Sequence, residues 1–202
     1  MTETAEAVFR TVKSEVRILG VDDAPFTKFK DEKTALIGVV YRGANYLEGV
    51  LKREIFVDGD DSTEQIIKMA GETRHRGHLR LIMLSGITFG GLNIADIAEI
   101  IEATGLPVII VTRRLPDSEA MEKAISNVQN SDEKIARLHS AGKLHTLEIG
   151  DKHLVYQKTG ISNSDAEKII KLSIVRGLVP EPLRVAHIIA SGITTGDSRE
   201  RA

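Results

Sequence analysis

The chain has 202 residues, 42% of them apolar and 28% charged, with a formal net charge of −2 and no cysteine. That length supports a sizeable core in one domain over 1–202. The lack of cysteine excludes disulfides and thiolate metal centres, and the near-neutral charge excludes a chain-wide electrostatic footprint for nucleic acid, so such a site must be a local patch. No apolar run is long enough to span a bilayer, and Glu3, Glu6 and Arg10 are unlike a signal peptide. A cytoplasmic protein with no membrane partner is expected.

In chain order, residues 1–15 read as a polar helix or frayed start. Arg17 to Val21 reads as a short strand ending at Asp22-Asp23-Ala24-Pro25, where proline stops ladder pairing. A charged loop follows, and then strands at Leu36 to Tyr41 and Leu47 to Val57. The close spacing and the Gly43 turn predict antiparallel pairing between them. Asp58 to Ser62 is an acidic turn opening a helix, capped by Asp61 or Ser62.

Leu79 to Leu84 reads as the central strand, and its unbroken apolar run Leu81-Ile82-Met83-Leu84 is the mark of burial on both faces. It ends at Ser85 and a glycine-rich turn. Asn93 is expected to cap a helix over Ile94 to Ala103, with Asp96 at the reciprocal position and Gly105 as a left-handed stop. Pro107 to Thr112 is a further buried strand, and the strand–helix–strand order predicts that it runs parallel to the central one.

Helices are predicted over Ser118 to Val128 and Asp132 to Ser140. A hairpin is expected around Gly150-Asp151. A helix follows from Asp165 to Arg176, capped by Asn163 or Ser164. The last helix is expected over Leu183 to Ala190, with Pro182 as its first residue and an end at Gly192. The tail from Thr194 reads as polar and mobile. A three-strand antiparallel meander, a helix and then parallel strands make the layout of a ribonuclease-H-like mixed α/β sheet with a helical C-terminal region. A doubly wound fold would alternate from the start.

Ligands of open α/β sheets gather at the carboxyl ends of central strands, which directs attention to Ser85 and Asp22. Paired carboxylates at such an edge are what two-metal phosphoryl transfer needs, with Mg²⁺ or Mn²⁺ on oxygen ligands. Asp22, Asp23, Asp58, Asp60 and Asp61 are the acids at strand ends, although turns and helix starts also use aspartate. Arg113 and Arg114 follow the last parallel strand, where a cation can neutralise phosphate charge. The run Arg74, His75, Arg76, His78, Arg80 is either a phosphate grip or a solvated helix end. The Ser85 turn is not a Walker A loop, because no Lys-Ser/Thr follows its glycines, and not a dinucleotide fingerprint, because its glycine spacing is wrong. His187, on an apolar helix face, reads as a core histidine.

Four stretches carry a family resemblance: ILGVDDAPF at Ile18 to Phe26, LSGITFGGLNIADI at Leu84 to Ile97, GLPVIIVTRRLPD at Gly105 to Asp117, and EPLRVAHIIASGITTGDSR at Glu181 to Arg199. Over nearly its full length the chain resembles the mainly archaeal domain-of-unknown-function family ninety-nine, a relative of endonuclease V in the ribonuclease-H-like superfamily. The resemblance implies a metal-dependent nuclease acting on DNA or RNA. It places metal binding on Asp22 and a phosphate contact on Arg113. The second carboxylate is Glu54 by motif similarity (YLEGVLKRE) or Asp58 by strand-end position. Ser85 stands where endonuclease V carries aspartate, and serine offers Mg²⁺ no negative oxygen at neutral pH. The competing expectation is therefore a non-catalytic nucleic-acid-binding or scaffold protein with a degenerate site.

Overall fold

The computed structural model describes residues 11–112 and 115–198. The expected helix over 1–15 falls largely outside them, as do Arg113, Arg114 and the end of the tail. The strands are β1 (Arg17–Asp23), β2 (Lys33–Arg42), β3 (Tyr46–Phe56), β4 (Leu81–Ser85), β5 (Thr88–Phe89), β6 (Asn93–Ile94), β7 (Val108–Thr112), β8 (His145–Ile149) and β9 (Lys152–Thr159). The helices are α1 (Ser62–Glu72), α2 (Ile97–Thr104), α3 (Ser118–Ile125), α4 (Ser131–Ser140), α5 (Asn163–Leu172) and α6 (Glu181–Thr195).

Seven strands form one sheet in the order β3-β2-β1-β4-β7-β9-β8. The meander β1–β2–β3 is antiparallel, and β1, β4 and β7 run parallel, as the sequence pattern predicts. The β8–β9 hairpin extends the sheet antiparallel beyond β7.

The central strands are apolar throughout because both of their faces are covered. On one face Leu19, Val21, Ile82, Leu84, Val108 and Ile110 pack with α1, α2 and the β5–β6 hairpin. On the other, Ile18, Leu81, Met83, Ile109 and Val111 pack against α5 and the start of α6. The rest of α6 covers Ala24, Ile37 and Val39 through Ala186 and Ala190.

Three local expectations are corrected. Asn93 does not cap a helix: it lies in β6, and its side chain bridges Ser62 N, Phe56 O and Asp61. The helix starts later, at Ile97, with Asp96 as N-cap accepting from Glu99 N at 3.0 Å. A short hairpin intervenes because Gly90 and Gly91, at φ +51° and +92°, turn the chain back before the helix can begin. Ser162, not Asn163 or Ser164, caps α5. Helix α6 continues past Gly192 to Gly196, which adopts the left-handed terminating conformation at φ +79°. Gly105 ends α2 at φ +68°, as expected.

Candidate active site

The carboxyl ends of β1, β4 and β7 open into a cavity of about 220 Å³ lined by Asp22, Ser85, Gly86, Thr112, Leu183 and His187, among others. Asp22 and Ser85 share a sheet face, because β1 and β4 pair in parallel register with Val21 opposite Leu84. Asp22 is buried, with its Oδ2 3.0 Å from His187 Nδ1 and its Oδ1 accepting from Asp23 N at 3.1 Å.

The placement of His187 follows from a glycine. A Cβ on Gly20 would sit 2.6 Å from Pro182 Cβ, so only glycine lets the start of α6 lie directly on β1. From that contact, five residues of helix advance ~7.5 Å. Two residues of strand advance ~6.6 Å. The near match brings His187 over Asp22. The carboxylate acceptor favours the Nδ1–H tautomer, which leaves the basic lone pair of the ring on Nε2.

Asp23 points to the opposite face. Its Oδ2 accepts from Gly90 N at 2.8 Å and so ties the β5–β6 hairpin to the end of β1. Burial pushes its carboxyl up to about 6, partly opposed by the Gly90 hydrogen bond and reinforced by the neighbouring Asp22.

Asp58 lies in the turn after β3 at φ +56°, and its Oδ1 accepts from Leu92 N at 2.8 Å on the hairpin side of the sheet. Glu54 is exposed on β3, opposite Ala35 and two strands away from β1. Neither lines the Asp22 cavity. Asp60 pairs with Lys134 Nζ at 2.8 Å, and Asp61 accepts from Asn93. Arg113 lies outside the described residues. The Arg74–Arg80 run follows α1 at the opposite edge of the sheet, where Arg80 N bonds Arg17 O at the start of β1. The sequence pattern marks His187 as a core histidine but does not reveal its pairing with Asp22, 165 positions away.

A pair of bridged divalent ions does not fit these donors. Among the described residues the cavity has one carboxylate, one imidazole and the hydroxyls of Ser85 and Thr112, and no group of three or more potential His, Cys, Asp or Glu ligands occurs. A single ion on Asp22 does fit, since Mg²⁺ commonly takes one or two protein carboxylates and fills its remaining positions with water and substrate phosphate.

A second cavity of about 310 Å³ adjoins the first and shares Gly86 and Thr112 with it. Ile87, Met121, Leu138 and Leu144 give it apolar walls, and Thr88 and Gln157 give it polar groups. Gln157 is oriented by donating to Gly142 O at 2.8 Å.

The seven-strand mixed sheet has a ribonuclease-H-like fold, the fold also seen in endonuclease V. Endonuclease V of Ciona intestinalis, solved with a 24mer DNA containing an inosine followed by a ribo-adenosine, superimposes with a TM-score of 0.56. It is 13% identical, and the match covers 85% of this chain and 82% of that one, a likeness of fold alone. The chain belongs to the endonuclease dU family, whose model matches residues 14–194. It is 51% identical over 197 residues to a UPF0215 protein of Methanothermobacter thermautotrophicus, covering 96% of this chain and 95% of the relative. A protein of unknown function from Archaeoglobus fulgidus is 39% identical with a TM-score of 0.79, covering 88% of this chain and 98% of that one.

Proposed function

We propose that this protein is an endonuclease that cleaves a phosphodiester bond in nucleic acid carrying a deaminated base, deoxyuridine first among the candidates. One observation carries the reading. In a chain of the endonuclease dU family, Asp22, His187 and Ser85 meet in one cavity at the carboxyl ends of the parallel strands.

Asp22 holds His187 by its Nδ1–H, and Nε2, which is buried in the structure, would take a proton from the attacking water once water and substrate enter the site. The water oxygen forms the new bond to phosphorus, the P–O ester bond breaks, and the leaving oxygen is protonated from solvent. Ser85 offers a hydroxyl to a phosphate oxygen. Asp22 would also hold one Mg²⁺ or Mn²⁺, which would neutralise charge on the phosphate. The adjoining cavity is suited to an extruded base: apolar walls flank its faces, and Thr88 and Gln157 can reach its edge.

The test is cleavage of end-labelled oligonucleotides containing deoxyuridine, inosine or a mismatch, and of RNA, with Mg²⁺ or Mn²⁺ and with EDTA. Cleavage next to deoxyuridine is expected, with losses of ~10²-fold or more in Asp22→Asn and His187→Ala. Inactivity of both the natural protein and Ser85→Asp on all substrates would sink the enzymatic reading. Ser85 in place of a carboxylate favours the second reading, a binder that does not cut. Salt-sensitive binding that persists in EDTA and in Asp22→Ala, without cleavage, would establish it.

A further inference from the structure

The loop between β1 and β2 leaves the sheet at the edge that holds Asp22, and it carries a feature the cleavage chemistry does not use. Phe29 is 95% exposed, far more than the 42% of Phe56. It also adopts φ +65°, a left-handed conformation that is unfavourable for an aromatic residue. Local strain in a solvent-exposed aromatic residue is a pointer to function.

The surroundings are cationic. Lys28 Nζ lies 5.2 Å from the centre of the Phe29 ring, and Lys30 follows it. Lys33 Nζ lies 4.5 Å from the centre of the Phe56 ring. Lys33 and Phe56 are cross-strand partners, and the register Asp22↔Ile37↔Lys52 puts them on the same sheet face as Asp22. The acids offset only part of this charge: over residues 28–33 three lysines face Asp31, whose carboxylate is turned to Thr27 N at 2.6 Å, and Glu32, which leaves a net charge of +1.

We propose that Phe29 and Phe56, with Lys28, Lys30 and Lys33, form a stacking platform that holds an unpaired nucleic-acid strand beside the Asp22 cavity. Exposed aromatic faces interleaved with lysines suit such a strand: every base has a face to stack, and each phosphate meets a cation. The inference rests on the nucleic-acid reading above and adds to it the surface that the flanking nucleotides use. It also explains how a chain of net charge −2 can grip a polyanion, by local rather than overall charge.

The chain contains no tryptophan, so Phe29→Trp introduces a single tryptophan that can be excited apart from the three tyrosines. Titration with a single-stranded oligonucleotide is expected to quench its emission saturably. Phe29→Ala is expected to weaken binding by ~10-fold. Lys28→Gln with Lys30→Gln is expected to reduce the slope of log K against log salt by about 1.4. Circular dichroism should show all of these loop variants folded. Binding without quenching, an unchanged affinity in Phe29→Ala, or no binding of any oligonucleotide would overturn the platform. The two readings fail separately. Cleavage by a Phe29→Ala protein of undiminished affinity leaves the nuclease standing without the platform. Quenching in a protein that cuts nothing leaves the platform without the nuclease.

Discussion

Asp22 and Asp23 are neighbours with opposite duties, set by the alternation of side chains along a strand. Asp22 faces α6 and orients His187, whereas Asp23 faces the hairpin and fastens Gly90. The Asp23 carboxyl, pushed up to about 6, has a consequence for stability. Below the ordinary carboxylate range it is protonated in both the folded and unfolded states. As pH rises toward and through 6, the unfolded chain is already ionised while the folded one must charge a buried group. Stability from this residue is therefore present at low pH and lost as pH rises. Between pH 5 and pH 7.5 the loss is on the order of 1 kcal/mol. Urea unfolding of the natural protein and Asp23→Asn at the two pH values measures it. The stability difference, natural minus variant, should be larger at pH 5 by that amount. An equal difference at both values would remove burial as the cause.

At the scale of elements, the site depends on how closely α6 approaches β1. Gly20→Ala would drive a methyl group to within 2.6 Å of Pro182 and lift the helix from the strand. Overpacking of this kind costs ~1–3 kcal/mol. It would also part His187 from Asp22, so a lowered melting temperature and lost cleavage are expected together. Gly38→Ala is the control. Its methyl would meet Met69 Sδ at 2.8 Å on the opposite face, where a flexible side chain can move aside. Cleavage retained by Gly38→Ala and lost by Gly20→Ala would tie activity to the α6 contact. Equal activity of the two would refute that link.

Across the whole molecule, the layer opposite α6 is knitted by a buried lysine. Lys134, on α4, is fully buried and donates to the carbonyls of Asp58, Gly59 and Leu92 while pairing with Asp60. One ammonium thus joins a helix, the turn after β3 and the hairpin beside the candidate site. Lys134→Met keeps most of the apolar volume but strands these acceptors, at a cost of ~3 kcal/mol or more. Thermal unfolding should show a clear fall in the midpoint, and hydrogen exchange should show faster exchange at Leu92 and Gly90. An unchanged midpoint would mean that the carbonyls find water at no cost. Asp58, one of the two candidates for a second carboxylate, belongs to this same construction through Leu92 N.

Local pattern in the chain was enough for much of this. The apolar run before Ser85, the glycine turn, the spacing of strand, helix and strand, and the acidic turn after β3 each reflect burial or backbone freedom within a few residues. They gave the sheet order of the meander and the parallel centre, and the family motifs pointed to Asp22. The pairing of Asp22 with His187 was not legible, because an imidazole on an apolar helix face looks the same whether it meets a carboxylate or a methyl group. Nor could spacing show that Asn93 bridges the β3 turn to α1, or that Asp58 and Glu54 stay clear of the Asp22 cavity. Periodicity records which side of an element is covered, but not what covers it. That was decided by the packing of α6 on Gly20 and of the hairpin against Asp23, contacts between segments far apart in the chain.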